Sequence, residues 1–151
     1  MAPTPSRTPV LIIDGNPSNL RVVIGHLEAY ALDILTALDG ETGLDRARRG
    51  RPDLILLDVQ LPGIDGFETC RRLKANPETS AIPVIFMTAS AHTDSKLRGF
   101  EVGGVDYVTK PISAPELVAR VKAHLELRSL DRKSTRLNSC HGYGSRMPSF
   151  A

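Results

Sequence analysis

No stretch of this 151-residue chain approaches the ~20 apolar residues a membrane span requires, and the opening MAPTPSRTP lacks the apolar centre of a signal peptide. Both absences point to a cytoplasmic protein with no membrane partner. Cysteine is scarce. Cys70 and Cys140 show no C-x-x-C pairing and no Cys/His spacing suited to a metal, which argues against a disulfide framework and a zinc centre and leaves two free thiols. Net charge is also small, at +2 overall. Residues 131–151 hold four Lys/Arg against one Asp, so residues 1–130 carry fifteen basic and sixteen acidic side chains. A domain so nearly balanced offers no basic surface that would argue for direct nucleic-acid binding. Aromatic residues are few, yet 41% of the chain is hydrophobic, enough for one buried core at this length.

What the chain does have is alternation: short apolar runs and amphipathic stretches follow one another five times. The pattern predicts strands at Val10–Ile13, Asp33–Ala37, Leu54–Leu57, Val84–Met87 and Asp106–Val108. Asn16 and Pro17 read as an N-cap and first helical residue, followed by the stripe Leu20, Val23, Ile24 and Leu27. A second helix is expected from near Asp39 to Gly50, with Pro52 barring continuation. Asp65 and Glu68 suit the start of a third, which turns Phe67, Cys70 and Leu73 inward. The fourth covers 93–102, with Leu97 and Phe100 on one side, and ends at Gly103 and Gly104. Ser113 and Glu116 form a capping box for the last, which buries Leu117, Val121 and Leu125.

Strand, helix and strand with short connections imply an α/β fold: a doubly wound, five-stranded parallel sheet with right-handed crossovers and helices on both faces. LILL and VIFM are nearly continuous apolar runs, as central strands covered on both sides require. Ligands of such sheets bind beyond the carboxyl ends of the strands, where the strand order reverses. The residues at those ends are Asp14, Asp58, Thr88 and Lys110. Each alone suits a turn, a cap or a solvated strand end. Together they make chemical sense: carboxylates attract a hard cation such as Mg2+, the cation neutralises a phosphoryl group, and a hydroxyl and an ammonium contact the phosphoryl oxygens. Asp58 is the natural nucleophile.

LIIDGNPSN, DLILLDVQLPGIDGFE, IPVIFMTAS and DYVTKPI, in this order and spacing, resemble the response-regulator receiver domain of bacterial two-component signalling over residues 9–130. The resemblance implies the flavodoxin-like strand order 2-1-3-4-5. It implies that Asp58 accepts phosphate as an acyl phosphate from a histidine kinase or phosphotransfer protein. Thr88 resembles the switch hydroxyl, Tyr107 the aromatic that follows it inward, and Lys110 the cationic partner, preceding a Pro111 that is often cis. Asp14, Asp58 and the backbone carbonyl of Gln60 are the implied Mg2+ ligands. Val59 and Ala89 are the implied backbone contacts to the phosphoryl group, and Gly66 fits the turn before the third helix. A receiver would act as a regulatory phosphoacceptor rather than a turnover enzyme, with only self-phosphotransfer and autodephosphorylation. Its signal would leave through the fourth helix, fifth strand and fifth helix, a face that also suits a homodimer.

One position departs from the family pattern. Receivers usually end the first strand with two acids, and here the pair is Asp14 and Gly15. Loss of that carboxylate removes an oxygen ligand and a negative charge, so Mg2+ affinity should fall. Three readings follow: a weakened but phosphorylatable receiver, with Asp14, Asn16 or water filling the gap; a phosphate-independent pseudo-receiver used for docking; or a single-base read error at Gly15. A more distant alternative is a phosphohydrolase of the haloacid-dehalogenase type. That chemistry needs a second acid two residues after Asp14, where Asn16 stands, and leaves Asp58 without a role.

Residues 1–8 read as a disordered N-terminus. Residues 131–151 show no helical or alternating period and resemble the in-frame translation of a common sequencing adapter, which would encode Ser at Cys140 and Phe150. On that reading the natural frame was cut near Leu130, any output domain beyond it was lost, and HLELRSL is the start of a helical linker. The alternative is a genuine disordered tail.

Overall fold

A computed structural model describes residues 7–89 and 93–137; Cys140 and most of the segments read as terminal tails lie outside those residues. Five strands and five helices alternate: β1 Thr8–Ile13, α1 Pro17–Leu27, β2 Leu32–Ala37, α2 Gly40–Gly50, β3 Leu54–Asp58, α3 Gly66–Ala75, β4 Val84–Thr88, α4 Thr93–Glu101, β5 Asp106–Thr109 and α5 Ala114–Leu137. The strands form one sheet in the order β2-β1-β3-β4-β5, every neighbouring pair parallel. The order reverses beside β1, so the tips of β1 and β3 lie next to each other at the crevice.

Period-two alternation sends the strand side chains to two separate cores. Val10, Ile12, Leu54, Leu56, Ile85 and Met87 meet α1 and α5 through Leu20, Val23, Leu27, Leu117 and Val121. Leu11, Ile13, Ile55, Leu57, Val84 and Phe86 meet Ala47, Phe67, Cys70 and Leu73 on the opposite face. Each aliphatic or aromatic side chain buried this way stabilises the fold by about 1.5–3 kcal/mol relative to exposure. Two fully covered faces are why the central strands are apolar throughout, and why polar chemistry is left to their ends.

Helix starts follow the sequence closely. Asn16 caps α1 by accepting from the Ser18 and Asn19 N–H groups at 2.9 and 3.4 Å. Asp39 caps α2 through Thr42 N–H at 2.7 Å, and Asp65 caps α3 through Glu68 N–H at 2.8 Å. Ser113 contributes its carbonyl to the first bond of α5, from Leu117 N–H at 2.9 Å.

Two details add to the expectation and a third departs from it. α2 stops at Gly50 as expected, with Arg51 just beyond it in the left-handed region at φ 44°; a Cβ at Gly50 would lie 2.7 Å from Leu35 Cδ1, so that glycine serves close packing on β2. On α4, Leu97 and Phe100 are about half exposed, so their side of the helix faces solvent rather than the core. Finally, α5 continues to Leu137, seven residues past Leu130. No glycine or proline interrupts residues 116–137, and nothing in that composition stops a helix. No helix among the described residues is long and apolar enough to cross a membrane.

Candidate functional site

β1 and β3 both run apolar to their last residues and then deliver a carboxylate. Asp14 follows β1 and is fully buried; Asp58 ends β3 and is 6% exposed. Thr88 ends β4 one residue beyond Met87, the register partner of Asp58, and it too is buried. Lys110 follows β5, and its Nζ reaches back across the crevice to Asp58 Oδ2 at 3.1 Å and Asp14 Oδ2 at 3.5 Å. The Lys110–Pro111 peptide is cis. Side chains that lie 52 and 96 residues from Lys110 in sequence thus share one ammonium.

Glycine makes this approach possible. A Cβ at Gly66 would fall 2.2 Å from the Asp58 carbonyl oxygen, so only glycine lets the first turn of α3 press against the end of β3. The Gly66 N–H donates to the Val59 carbonyl at 2.7 Å and fixes that contact. Its φ is not in the left-handed region, so Gly66 is needed for proximity rather than for a turn.

The electrostatics are unbalanced. Burial pushes the Asp58 carboxyl above its ordinary range, the neighbouring Asp14 charge pushes it further, and the Lys110 ammonium offsets this only in part. Asp58 also accepts from Gln60 N–H at 3.2 Å. The next backbone N–H before it, that of Val59, extends the β3–β4 ladder to the Met87 carbonyl at 3.1 Å. Ala89 stands where expected, exposed just past β4.

An open cleft of about 450 Å3 lies over these groups, lined by Gly15, Asn16, Asp58, Gln60, Leu61, Pro62 and Lys110. The donor types suit a hard cation: carboxylate oxygens of Asp14 and Asp58 and the carbonyl of Gln60 would be the groups to hold one. Gly15 adds none, and among the described residues no three acids, histidines or cysteines gather as a metal cluster. Asn16 lines the cleft, and its side-chain oxygen caps α1.

Tyr107 lies to the side of this crevice, half-buried on β5, with Lys96 Nζ 4.3 Å and the Arg120 guanidinium 5.9 Å from its ring centroid and Phe100 edge-on at 6.4 Å. Tyr107 and Thr88 line one small cavity of about 10 Å3, room for about one water. The four arginines near the end of α2 form no common patch. Arg46 donates to the Thr36 carbonyl, Arg48 and Arg49 share Asp45, and Arg51 pairs with Glu78.

One site residue gave no signal in the sequence. Asn19, in the first turn of α1, donates its side-chain N–H to Asp14 Oδ2.

A family model for the response regulator receiver domain matches residues 10–122. Among curated proteins, the chain is 38% identical over 145 residues to the response regulator PleD of Caulobacter vibrioides, covering 91% of this chain and 32% of that one. It is 44% identical over 112 residues to the phosphate regulon transcriptional regulatory protein PhoB of Rhizobium meliloti, covering 74% and 49%. It thus spans a third to a half of the length of these relatives. Among solved structures, the beryllofluoride-activated DrrB receiver domain (DrrB is a Thermotoga maritima protein) superposes with a TM-score of 0.70 at 36% identity, covering 80% of this chain and 99% of that one. The chemotaxis response regulator CheY4 of Vibrio cholerae does so with 0.74 at 25%, covering 79% and 99%. Strand order, strand-end chemistry and family match agree, and the chain belongs to the response regulator receiver domain family, the phosphoacceptor modules of two-component signalling.

Proposed function

We propose that Asp58 is the phosphoacceptor and that its donor is a histidine kinase or a histidine phosphotransfer protein. An Asp58 Oδ attacks the phosphorus of the phosphohistidine; a P–O bond forms, the P–N bond breaks, and the imidazole nitrogen leaves with the electron pair and takes up a proton. Lys110 is placed to neutralise charge on the phosphoryl oxygens, and the Thr88 hydroxyl to take one of them. Asp14, Asp58 and the Gln60 carbonyl would hold Mg2+, which when bound supplies further charge neutralisation on the phosphoryl group. The observation that carries this reading is the single Lys110 ammonium shared by two buried carboxylates at the mouth of a cleft.

Modification brings roughly two negative charges into the crevice. In this reading Thr88 is drawn to them and Tyr107 moves towards the cavity the two residues share, which changes the face of α4, β5 and α5. The half-exposed Leu97 and Phe100 on that face suit a partner or a second copy of the chain. Transcriptional control belongs to the relatives whose names state it.

Gly15 favours a second reading, a pseudo-receiver that docks without phosphate, since the cation has two acids where receivers usually offer three. Acetyl phosphate with increasing Mg2+, applied to the native protein and to Gly15→Asp, separates the two. Phosphotransfer predicts an acyl phosphate in both, at higher Mg2+ in the native protein. Modification of the variant alone supports the pseudo-receiver. The haloacid-dehalogenase alternative has no support at the site, because its second acid would stand at the capping Asn16.

A further inference from the structure

Asp14 is fully buried, and its carboxylate accepts from three donors. Oδ1 accepts from Asn16 N–H at 2.9 Å; Oδ2 accepts from the Asn19 side chain and, at the 3.5 Å limit of a hydrogen bond, from Lys110. Lys110 has a better partner in Asp58, so the orientation of Oδ2 rests on Asn19. Asn19 is itself held. Pro17 opens α1, the Asn16 side chain caps it, and Asn19 N–H is one of the two groups capped, which turns the first helical turn towards the end of β1.

The chemistry of the contact matters in this chain. With Gly15 in place of the second acid, Asp14 is left as the one strand-end carboxylate of β1 available to a cation. A lysine at position 19 would cancel its charge and an aspartate would repel it. A carboxamide donates a hydrogen bond and adds no charge, so it can fix a carboxylate without reducing its attraction for a cation.

Resting on the phosphoacceptor reading above, we propose that Asn19 is a positioning residue. Its side-chain amide holds the Asp14 carboxylate with Oδ2 turned to the crevice shared with Asp58 and Lys110, and so sets the affinity for the divalent cation there. It touches neither the phosphoryl group nor the attacking oxygen.

Mn2+, followed as the free aqua ion by electron paramagnetic resonance in the absence of any phosphodonor, reports this directly on the full chain. Asn19→Leu keeps the shape of the side chain and removes the donor; Mn2+ binding should weaken by about tenfold, the low end for losing a group that orients a ligand. Asn19→Gln retains the amide and should recover part of that loss, while metal-free thermal unfolding shows that both variants fold. If the leucine variant does not fold, Asn19→Ala takes its place with the same expectation. Binding equal to the native protein in the donorless variant, or equal weakening in the glutamine and donorless variants, contradicts the proposal, as does a native protein that binds no Mn2+. Failure of Asp58 to become phosphorylated is a separate result: it would remove the phosphoacceptor reading and leave the Mn2+ comparison standing.

Discussion

Two ionic clusters stand at opposite ends of β5, and they are built with opposite balance. Just past its C-terminal end, Lys110 serves two carboxylates, both nearly sealed from solvent. At its first residue, Asp106 is served by two bases: Arg120 Nη1 at 2.7 and 2.8 Å and His124 Nε2 at 3.1 Å. The titration behaviour divides accordingly. Asp58 is held above the ordinary carboxylate range by burial and then by the Asp14 charge. Burial also acts on Asp106, but His124, the Tyr107 backbone N–H and Arg120 together override it and hold that group below. Negative charge left in excess at a cleft can be relieved only by something that arrives; negative charge fully met within the fold anchors β5 to α5 and asks for nothing. Of the two clusters, the unbalanced one is the functional candidate.

The comparison can be broken from either end. Asp58→Asn removes the unbalanced charge and the nucleophile together. It should abolish acyl phosphate formation, a loss of at least about 100-fold in any donor assay, and should raise the thermal midpoint at neutral pH, because a buried, incompletely paired carboxylate becomes a neutral amide. A lower midpoint would mean that the Lys110 pair outweighs the burial of Asp58.

Lys110→Met should act next most strongly, leaving two buried carboxylates without their shared cation. We expect a stability loss of about 2 kcal/mol at pH 7, below the usual figure for a broken buried pair because Lys110 is partly exposed. Denaturant unfolding at pH 7 and again at pH 4 checks it. Protonation of the stranded carboxylates should shrink the difference at the lower pH.

Gly15→Asp sharpens the comparison by adding to the excess. Mg2+ affinity should rise about tenfold by calorimetry. The metal-free protein should be slightly less stable, because a Cβ at position 15 would meet Pro62 Cδ at 2.9 Å and add a charge beside Asp14.

Asp106→Asn should have the smallest effect, about 1–2 kcal/mol from weakened charge-assisted hydrogen bonds at a site that is not fully buried, with phosphorylation at Asp58 unchanged. Its pH dependence has a definite sign. Asp106 titrates lower in the folded state than its ordinary value of 3.8, so its contribution is present above that pH and is lost as pH falls through the folded value. Melting curves of the native and Asp106→Asn proteins should differ at pH 7 and converge below pH 3.8.

The sheet and the four strand-end residues could be read from the chain because parallel topology brings successive strand C-termini together whatever the loops do. Asp14, Asp58, Thr88 and Lys110 follow from counting to the end of each apolar run. What could not be read depends on rotation about a helix axis or on close packing. Asn19 meets Asp14 only because its helix is capped at a particular angle, and periodicity marks Asn19 as merely polar. The Gln60 N–H at Asp58 was not legible either, since the β3–β4 ladder runs one residue further than the apolar run suggests. Gly50 ends α2 where the sequence places the stop, but its packing role, clearing space for Leu35, could not be read.

Site mapping of the modified native protein tests the central claim most directly. Acetyl phosphate at saturating Mg2+, borohydride reduction of the acyl phosphate and mass spectrometry of the peptides should place the modification on Asp58 alone. Modification at Asp14, or none at any Mg2+ concentration in a folded protein, would contradict the assignment of Asp58 as the phosphoacceptor.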